Sequence, residues 1–163
     1  MPVATRNEPP PGATASTVRH RVPFYETDGM GVVHHSNYVR YFELARVVWL
    51  DEHDVSYRKV VEQGLHYATT RVEVSYHRPT RFDDEIEITT WLDWVRGASL
   101  RMAYVIRFGG VTVATGATEH AAVDLAGRLR RLPRERVEHL RSLVQAPPGA
   151  ARAASRRRAN PPD

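Results

Sequence analysis

One aspartate, two glycines and two histidines lie close together in the segment FYETDGMGVVHHSNYVRY, residues 24–41. Asp28 stands directly before Gly29 and close to Gly31, and glycines allow a tight or left-handed turn. A helix is predicted to begin about seven residues after the aspartate. Unpaired N–H groups at a helix start can stabilise an oxyanion, and a nearby carboxylate can activate water or attack a carbonyl. The segment therefore suits acyl transfer, although an aspartate before glycine is also typical of a turn or a cap.

The element that must position this segment is a long helix, predicted over Ser36 to Asp51 with Ser36 as its N-cap. Its apolar side chains recur at helical spacing and are Tyr38, Tyr41, Phe42, Ala45, Val48 and Trp49, with Val39, Leu44, Val47 and Leu50 widening the stripe. A helix that is apolar around most of its circumference should be enclosed by other structure. A second, short helix is predicted from Ser56 to Gln63, ended by Gly64.

After Leu65 the apolar period changes from that of a helix to that of strands. Alternating segments cover 71–77, 86–94 and 100–108, and Gly109-Gly110 predicts a two-residue hairpin into 111–124. A short first strand, 18–24, precedes the helix. The pattern predicts an α+β fold in which a curved antiparallel sheet wraps one long central helix. Trp91 and Val105 would lie on the outer face, where a second subunit is expected to cover them.

Length and composition limit the kinds of protein this can be. The 163 residues suit one domain, predicted over 18–144, with disordered tails at 1–17 and 145–163. The chain has no cysteine, which excludes disulfides and cysteine-based metal sites and fits a cytoplasmic protein. The last twenty residues contribute four arginines and one aspartate, so +3 of the formal net charge of +4 lies there. A nucleic-acid partner is therefore not expected, and no segment is long and apolar enough to span a membrane.

The chemistry-bearing segment resembles the signature of the 4-hydroxybenzoyl-CoA thioesterase family, most closely its YbgC-type acyl-CoA thioesterases. The matching positions are Glu26-Thr27-Asp28, Gly31-Val32-Val33-His34-His35, Asn37-Tyr38, Tyr41, Glu43 and Ala45-Arg46, then Tyr76-His77-Arg78-Pro79, Phe82-Asp83-Asp84, Gly127-Arg128 and Arg131-Leu132-Pro133. The similarity covers nearly all of the predicted domain. In three places the chain departs from the pattern: His34 stands where a tyrosine is usual, Glu26 replaces an aspartate, and Phe24 stands where some relatives carry a tyrosine.

This resemblance implies a hotdog fold, a homodimer or homotetramer with its sites at the subunit interface, and hydrolysis of an acyl-CoA thioester without cofactor or metal. Asp28 would be the catalytic carboxylate, acting as general base or nucleophile, and the backbone N–H of His35 would be the oxyanion donor. The predicted substrate-binding residues are Gly31, Val33, His34, Asn37 and Tyr38, with Arg71, Arg78 and Arg81 as candidates to hold the CoA phosphates.

Other interpretations remain open on the sequence. The substrate could be carried by an acyl-carrier protein, or the chain could be an acyl-binding module without catalysis. His34 and His35 could ligate a metal with Asp28 or a further histidine, although adjacent histidines point in different directions. Glu43 and Arg46, three residues apart on the helix, are predicted to form a paired polar strip, with a second catalytic carboxylate at Glu43 as the alternative.

Overall fold

The computed structural model describes residues 7–144, so residues 1–6 of the predicted N-terminal tail and the whole predicted C-terminal tail, 145–163, lie outside the described residues. The elements in chain order are β1 (Ala15–Arg21), α1 (Asn37–His53), α2 (Tyr57–Glu62), β2 (Leu65–Tyr76), β3 (Glu85–Val95), β4 (Ser99–Phe108), β5 (Val111–Asp124) and α3 (Arg134–Val144). A single 3₁₀ turn, Phe24–Glu26, precedes α1. Among the described residues, no helix combines the length and apolar character needed to cross a membrane.

The five strands form one open antiparallel sheet in the order β1-β3-β4-β5-β2, so β1 and β2 are its edges. The predicted two-residue hairpin between β4 and β5 is confirmed. Gly109 and Gly110 have φ angles of +55° and +78°, which suit the mirror-image turns that join antiparallel strands. The β3–β4 turn closes with a 2.7 Å hydrogen bond from Arg96 N to Ser99 O.

Helix α1 packs against one face of this sheet and supplies much of the core, as its apolar pattern predicted. Phe42 and Trp49 are fully buried, and the Phe42 ring stacks on Tyr104 with 4.3 Å between centroids. Gly116 makes this contact possible, because a Cβ there would lie 2.4 Å from Phe42 Cε2. The helix runs to His53, two residues beyond the predicted end.

The outer face of the sheet differs from the prediction. Trp91, Ala103 and Val105 form a second buried cluster within the single chain, and Trp91 and Val105 are 0% exposed. The expectation that a second subunit covers Trp91 and Val105 is therefore wrong. Beside them, Arg101 makes 2.8 Å ion pairs with Glu73 and Glu119. The alternating pattern identified the face on which these side chains lie, but it carried no information about what covers that face.

The N-terminal end of the described chain is more ordered than predicted, and the C-terminal end of the predicted domain forms a helix. Strand β1 begins at Ala15, so residues 15–17 belong to the sheet and not to a tail. Helix α3, which the sequence analysis did not predict, buries Leu140 and forms a 2.6 Å ion pair between Arg136 and Asp54. Thr14 N donates to Leu143 O at 3.1 Å, so the entry into β1 contacts the last turn of α3.

Candidate active site

A tight turn between the 3₁₀ turn and α1 holds Asp28. Its Oδ1 accepts a 2.8 Å hydrogen bond from Met30 N, and its backbone carbonyl accepts one from Gly31 N at 2.9 Å. Gly31 has a φ of +72°, which a residue with a side chain rarely adopts. Asp28 N donates to Val32 O at 2.9 Å and closes the turn. The carboxylate is thus fixed by backbone geometry and keeps its second oxygen for other partners.

Glu26 ties this turn to α1 through both its backbone and its side chain. Its carbonyl oxygen accepts hydrogen bonds from His34 N at 2.9 Å and Asn37 Nδ2 at 2.8 Å. Its buried carboxylate accepts the Tyr41 hydroxyl and lies 2.9 Å from His20 Nε2. Burial, followed by the hydrogen bond to Glu26, raises the pKa of Tyr41 above its usual value. Two residues before Asp28, the chain is therefore anchored inside the protein.

A cavity of about 350 Å³ opens at the N-terminal end of α1. Its lining residues are Asp28, Met30, Val32, Val33, His35, Tyr38, Tyr76, His77, Arg78 and Pro79. The His35 N–H has no hydrogen-bond acceptor within residues 7–144, and the His35 carbonyl accepts the Tyr76 hydroxyl at 3.0 Å. Asp28 and His35, which lies just before the start of α1, therefore line the same cavity, whose size suits a small-molecule ligand.

Two tyrosines form the wall between this cavity and the core. The Tyr38 hydroxyl lies 3.0 Å from Thr80 Oγ1, and the Tyr38 and Tyr76 rings meet edge to face at 5.1 Å. Burial raises the pKa of both phenols, so they stay neutral at physiological pH. These two lining side chains are therefore uncharged.

The predicted site residues fall into three groups. Asp28, Val33, His35, Tyr38 and Arg78 line the cavity. Gly31, His34 and Asn37 build the loop instead, and Arg81 supports it by donating from Nη1 to Gly31 O at 3.3 Å. Arg71 is not brought together with them, because the register of β2 places it beside Glu73 on the outer face, in a 2.5 Å ion pair.

The sequence analysis did not select Met30, Val32, Tyr76, His77 or Pro79 as site residues. A signal for four of them was present, because Val32, Tyr76, His77 and Pro79 all belong to the segments that resemble the family. Ser36, predicted as the N-cap, makes no capping hydrogen bond, and its hydroxyl lies 2.8 Å from His34 Nδ1.

The metal-ligand alternative finds no support in the arrangement of these groups. His20 contacts the Glu26 carboxylate and His34 contacts Ser36, so neither is directed at Asp28. Within residues 7–144, no three histidine, aspartate or glutamate side chains are placed to hold one metal ion together.

Residues 22–160 match the family model of the Thioesterase-like superfamily. Among curated proteins, the acyl-CoA thioester hydrolase YbgC of Escherichia coli is 36% identical over 80 residues, which are 49% of this chain and 60% of that protein. Among solved structures, a hypothetical protein of Thermus thermophilus is 32% identical, with a TM-score of 0.75 over 80% of this chain and 98% of its own.

A further solved structure is similar in both sequence and fold. A thioesterase of Thermus thermophilus, solved with coenzyme A and zinc, is 29% identical, with a TM-score of 0.69 over 80% of this chain and 95% of that one. The long helix against an antiparallel sheet is the hotdog arrangement of these neighbours, which confirms the expected fold. The chain belongs to the Thioesterase-like superfamily and is a thioester hydrolase of that family.

Proposed function

We propose that this protein hydrolyses acyl-CoA thioesters to free acids and CoA. The observation that carries the proposal is one cavity lined by both the Asp28 carboxylate and the start of α1, where the His35 N–H has no acceptor among the described residues. The similarity to a YbgC acyl-CoA thioester hydrolase and to a thioesterase bound to coenzyme A supports the choice of substrate class.

The proposed step begins with the thioester carbonyl oxygen against the His35 N–H. As the carbonyl carbon is attacked, negative charge develops on this oxygen, and the N–H and the partial positive charge of the helix end stabilise it. The tetrahedral intermediate then collapses, the C–S bond breaks, and the CoA thiolate takes up a proton. A donor of this kind is worth about 2.7–4 kcal/mol in other enzymes.

Asp28 has two possible roles in the attack. As a general base, it takes a proton from water while the hydroxide adds to the carbonyl carbon. As a nucleophile, its own oxygen adds, CoA leaves, and water then hydrolyses the acyl-aspartyl anhydride. After a single turnover in ¹⁸O-labelled water, label in the peptide that contains Asp28 would identify Asp28 as the nucleophile, because hydrolysis of the anhydride at the aspartyl carbon labels the enzyme and general-base catalysis does not.

Arg78 and Arg81 are the proposed contacts for the CoA phosphates. Both are exposed and lie on the segment that follows β2 beside the cavity. Arg81 already donates to the Gly31 carbonyl, so its guanidinium can link the CoA-binding surface to the turn that holds Asp28. Arg71 is left out of this proposal, because it lies on the opposite face of the sheet.

We further propose that the protein is a homodimer or homotetramer. Two inward-facing side chains of the long edge strand β2 are exposed: Val72 is 40% exposed and Tyr76 is 51% exposed. Tyr76 also lines the cavity. An exposed apolar edge of this kind is usually covered. Light scattering at micromolar concentration measures the state, and a monomer would contradict the proposal.

The test of function is turnover of an acyl-CoA panel that contains acetyl, hexanoyl, octanoyl and benzoyl thioesters, with released CoA detected by a thiol reagent. We expect saturable release from at least one substrate. If no member of the panel is hydrolysed faster than in buffer alone, the proposed function is wrong.

A further inference from the structure

A carboxylate from outside the helix contacts the buried side of α1. The residue is Glu26, which is 7% exposed; its Oε2 accepts the Tyr41 hydroxyl and lies 2.9 Å from His20 Nε2. The polar pair predicted on the helix itself, Glu43 with Arg46, is not formed within residues 7–144. Glu26 does not line the reaction cavity, so the reaction proposed above gives its side chain no part.

The partners of this carboxylate are held in place by the core. Tyr41 is 2% exposed on α1, and His20 lies on β1, opposite Ile86 of β3. The rings of Tyr41 and His20 pack with 4.9 Å between centroids. Burial and the contact with Glu26 raise the pKa of Tyr41, so the phenol keeps the hydrogen that it donates. A carboxylate taken out of water needs such donors, and the side chain of Glu26 is therefore fixed between β1 and α1.

The backbone of the same residue holds the segment that leads into α1. Glu26 O accepts hydrogen bonds from His34 N at 2.9 Å and from Asn37 Nδ2 at 2.8 Å. His34 directly precedes His35, and Asn37 is the first residue of the helix. The proposed oxyanion donor, the His35 N–H, therefore lies between two residues that are both bonded to one carbonyl.

The loop that carries the proposed catalytic carboxylate leaves from the same point. Thr27 and Val33 form an antiparallel bridge directly after Glu26, and Asp28 N donates to Val32 O at 2.9 Å. The loop thus returns to the start of α1 as a narrow hairpin whose base is Glu26. A displacement of this base would move the carboxylate relative to the helix-end N–H, because the first lies on the hairpin and the second on the segment that precedes α1.

We infer that Glu26 is a positioning residue: its buried carboxylate fixes the distance between the Asp28 carboxylate and the His35 N–H. The inference rests on the acyl-CoA hydrolysis proposed above. A misplacement of about 1 Å can cost roughly 100-fold in rate. Glutamate stands where the family pattern has aspartate, and in this protein the longer side chain is the one that reaches both His20 and Tyr41.

The experiment measures kcat and KM of Glu26 variants with the best acyl-CoA of the panel. Glu26→Asp keeps the charge but has one methylene group fewer, so its carboxylate can reach both donors only if the backbone moves. We expect its kcat to fall by at least about 10-fold, with a smaller change in KM because the cavity walls remain. Glu26→Gln keeps the length, accepts from Tyr41 and can donate to the other tautomer of His20. Its kcat should stay within about threefold of the unmodified protein, because the hairpin base stays in place.

A matched pair of tyrosine variants separates positioning from stability. Tyr41→Phe removes the hydroxyl that Glu26 accepts, whereas Tyr104→Phe removes another buried hydroxyl, which lies 2.7 Å from Thr118 Oγ1. Both substitutions should lower the melting temperature, since each leaves a buried polar group without its partner. Only Tyr41→Phe should lower kcat, by at least about fivefold.

Amide hydrogen exchange gives a readout that does not depend on turnover. The amides of Asp28 and His34 donate within the hairpin and to its base. In Glu26→Asp and in Tyr41→Phe these two amides should exchange faster than in the unmodified protein, while the amides of β4 keep their protection.

Each outcome decides the inference. If the unmodified protein hydrolyses no acyl-CoA, the proposed function fails and the inference falls with it. If it hydrolyses acyl-CoA and Glu26→Asp keeps its kcat, only the inference is wrong. An equal loss of kcat in both tyrosine variants would assign the effect to stability, and an equal loss in Glu26→Gln and Glu26→Asp would assign it to charge; each would overturn the inference. If Glu26→Asp does not fold, the comparison of Tyr41→Phe with Tyr104→Phe decides.

Discussion

Replacing Asp28 by asparagine separates the chemistry of this carboxylate from its structural contact. Asparagine keeps an Oδ1 that can accept the 2.8 Å hydrogen bond from Met30 N, so the turn should survive. It removes the negative charge needed by a general base or a nucleophile. General-base catalysis contributes about 10²–10⁴-fold, so turnover should fall by at least about 100-fold. The loss should appear in kcat more than in KM, because the carboxylate acts in the transition state.

The assay is steady-state CoA release with the best substrate of the panel, accompanied by thermal unfolding of each variant. Asp51→Asn is the matched control, because Asp51 Oδ1 also accepts one backbone hydrogen bond, from Tyr57 N at 3.2 Å, and lies outside the cavity. In Asp28→Asn the new asparagine would precede Gly29, a sequence that deamidates readily to restore aspartate. Intact-mass measurement must therefore accompany every assay, and Asp28→Ala serves as a second variant that cannot revert.

Two outcomes would refute the proposed role. If Asp28→Asn, shown by mass to be free of aspartate, keeps kcat within about threefold of the unmodified protein, then the carboxylate is only a turn residue, since a general base contributes far more. If kcat falls but Asp51→Asn loses as much, then the effect comes from a general change of charge or fold. The melting temperature of Asp28→Asn should stay equal or rise, because catalytic carboxylates are seldom optimal for stability.

Three further substitutions test the core. Gly116→Ala would place a Cβ 2.4 Å from Phe42 Cε2 and should lower the free energy of unfolding, measured by urea denaturation, by roughly 3 kcal/mol. A loss under about 1 kcal/mol would contradict the close contact between β5 and α1. Burial lowers the pKa of His120 to about 3, so between about pH 6.5 and pH 3 the unfolded state binds more protons than the folded state. The free energy of unfolding should therefore fall as the pH drops through this window, by up to about 1.4 kcal/mol per pH unit. His120→Gln should flatten that dependence, and an unchanged slope would be evidence against a neutral buried imidazole. Arg136→Met leaves the Asp54 carboxylate buried without its 2.6 Å partner and should cost about 3–5 kcal/mol of unfolding free energy. The double variant that also carries Asp54→Asn should recover part of this loss. Full stability of Arg136→Met would show that the ion pair does not stabilise the fold.

The features that local pattern determines were predicted from the sequence. Helix α1 was found because its apolar side chains repeat with helical spacing, and the β4–β5 hairpin because two adjacent glycines can both adopt positive φ. The glycines beside Asp28 allowed its loop to fold back toward the start of α1, the family resemblance strengthened that expectation, and Asp28 and His35 line one cavity. Such features depend on a few neighbouring residues, so no knowledge of the rest of the fold was needed.

The features that depend on distant contacts were not predictable in this way. Arg71 was expected near the cavity, but β2 has a register irregularity between Thr69 and Arg71, and only the pairing with β5 decides which face each side chain occupies. Trp91 was placed on the correct face, yet its burial there needed the folded chain. The contact of Glu26 with Tyr41 joins a turn to the second turn of a helix, and the spacing of the two residues does not reveal it.

The hydrogen bond between Thr14 and Leu143 also has a consequence for protein engineering. Trp49 Nε1 donates to Thr14 O at 3.0 Å, so this junction lies beside α1 about 21 Å along its axis from His35. A short linker from residue 143 to residue 14 would close the described chain into a ring. New ends could then be opened between Gly109 and Gly110, an exposed hairpin tip of the kind that tolerates circular permutation. The same junction is a suitable attachment point for a surface or a fusion partner, because cargo held there stays away from the cavity at Asp28.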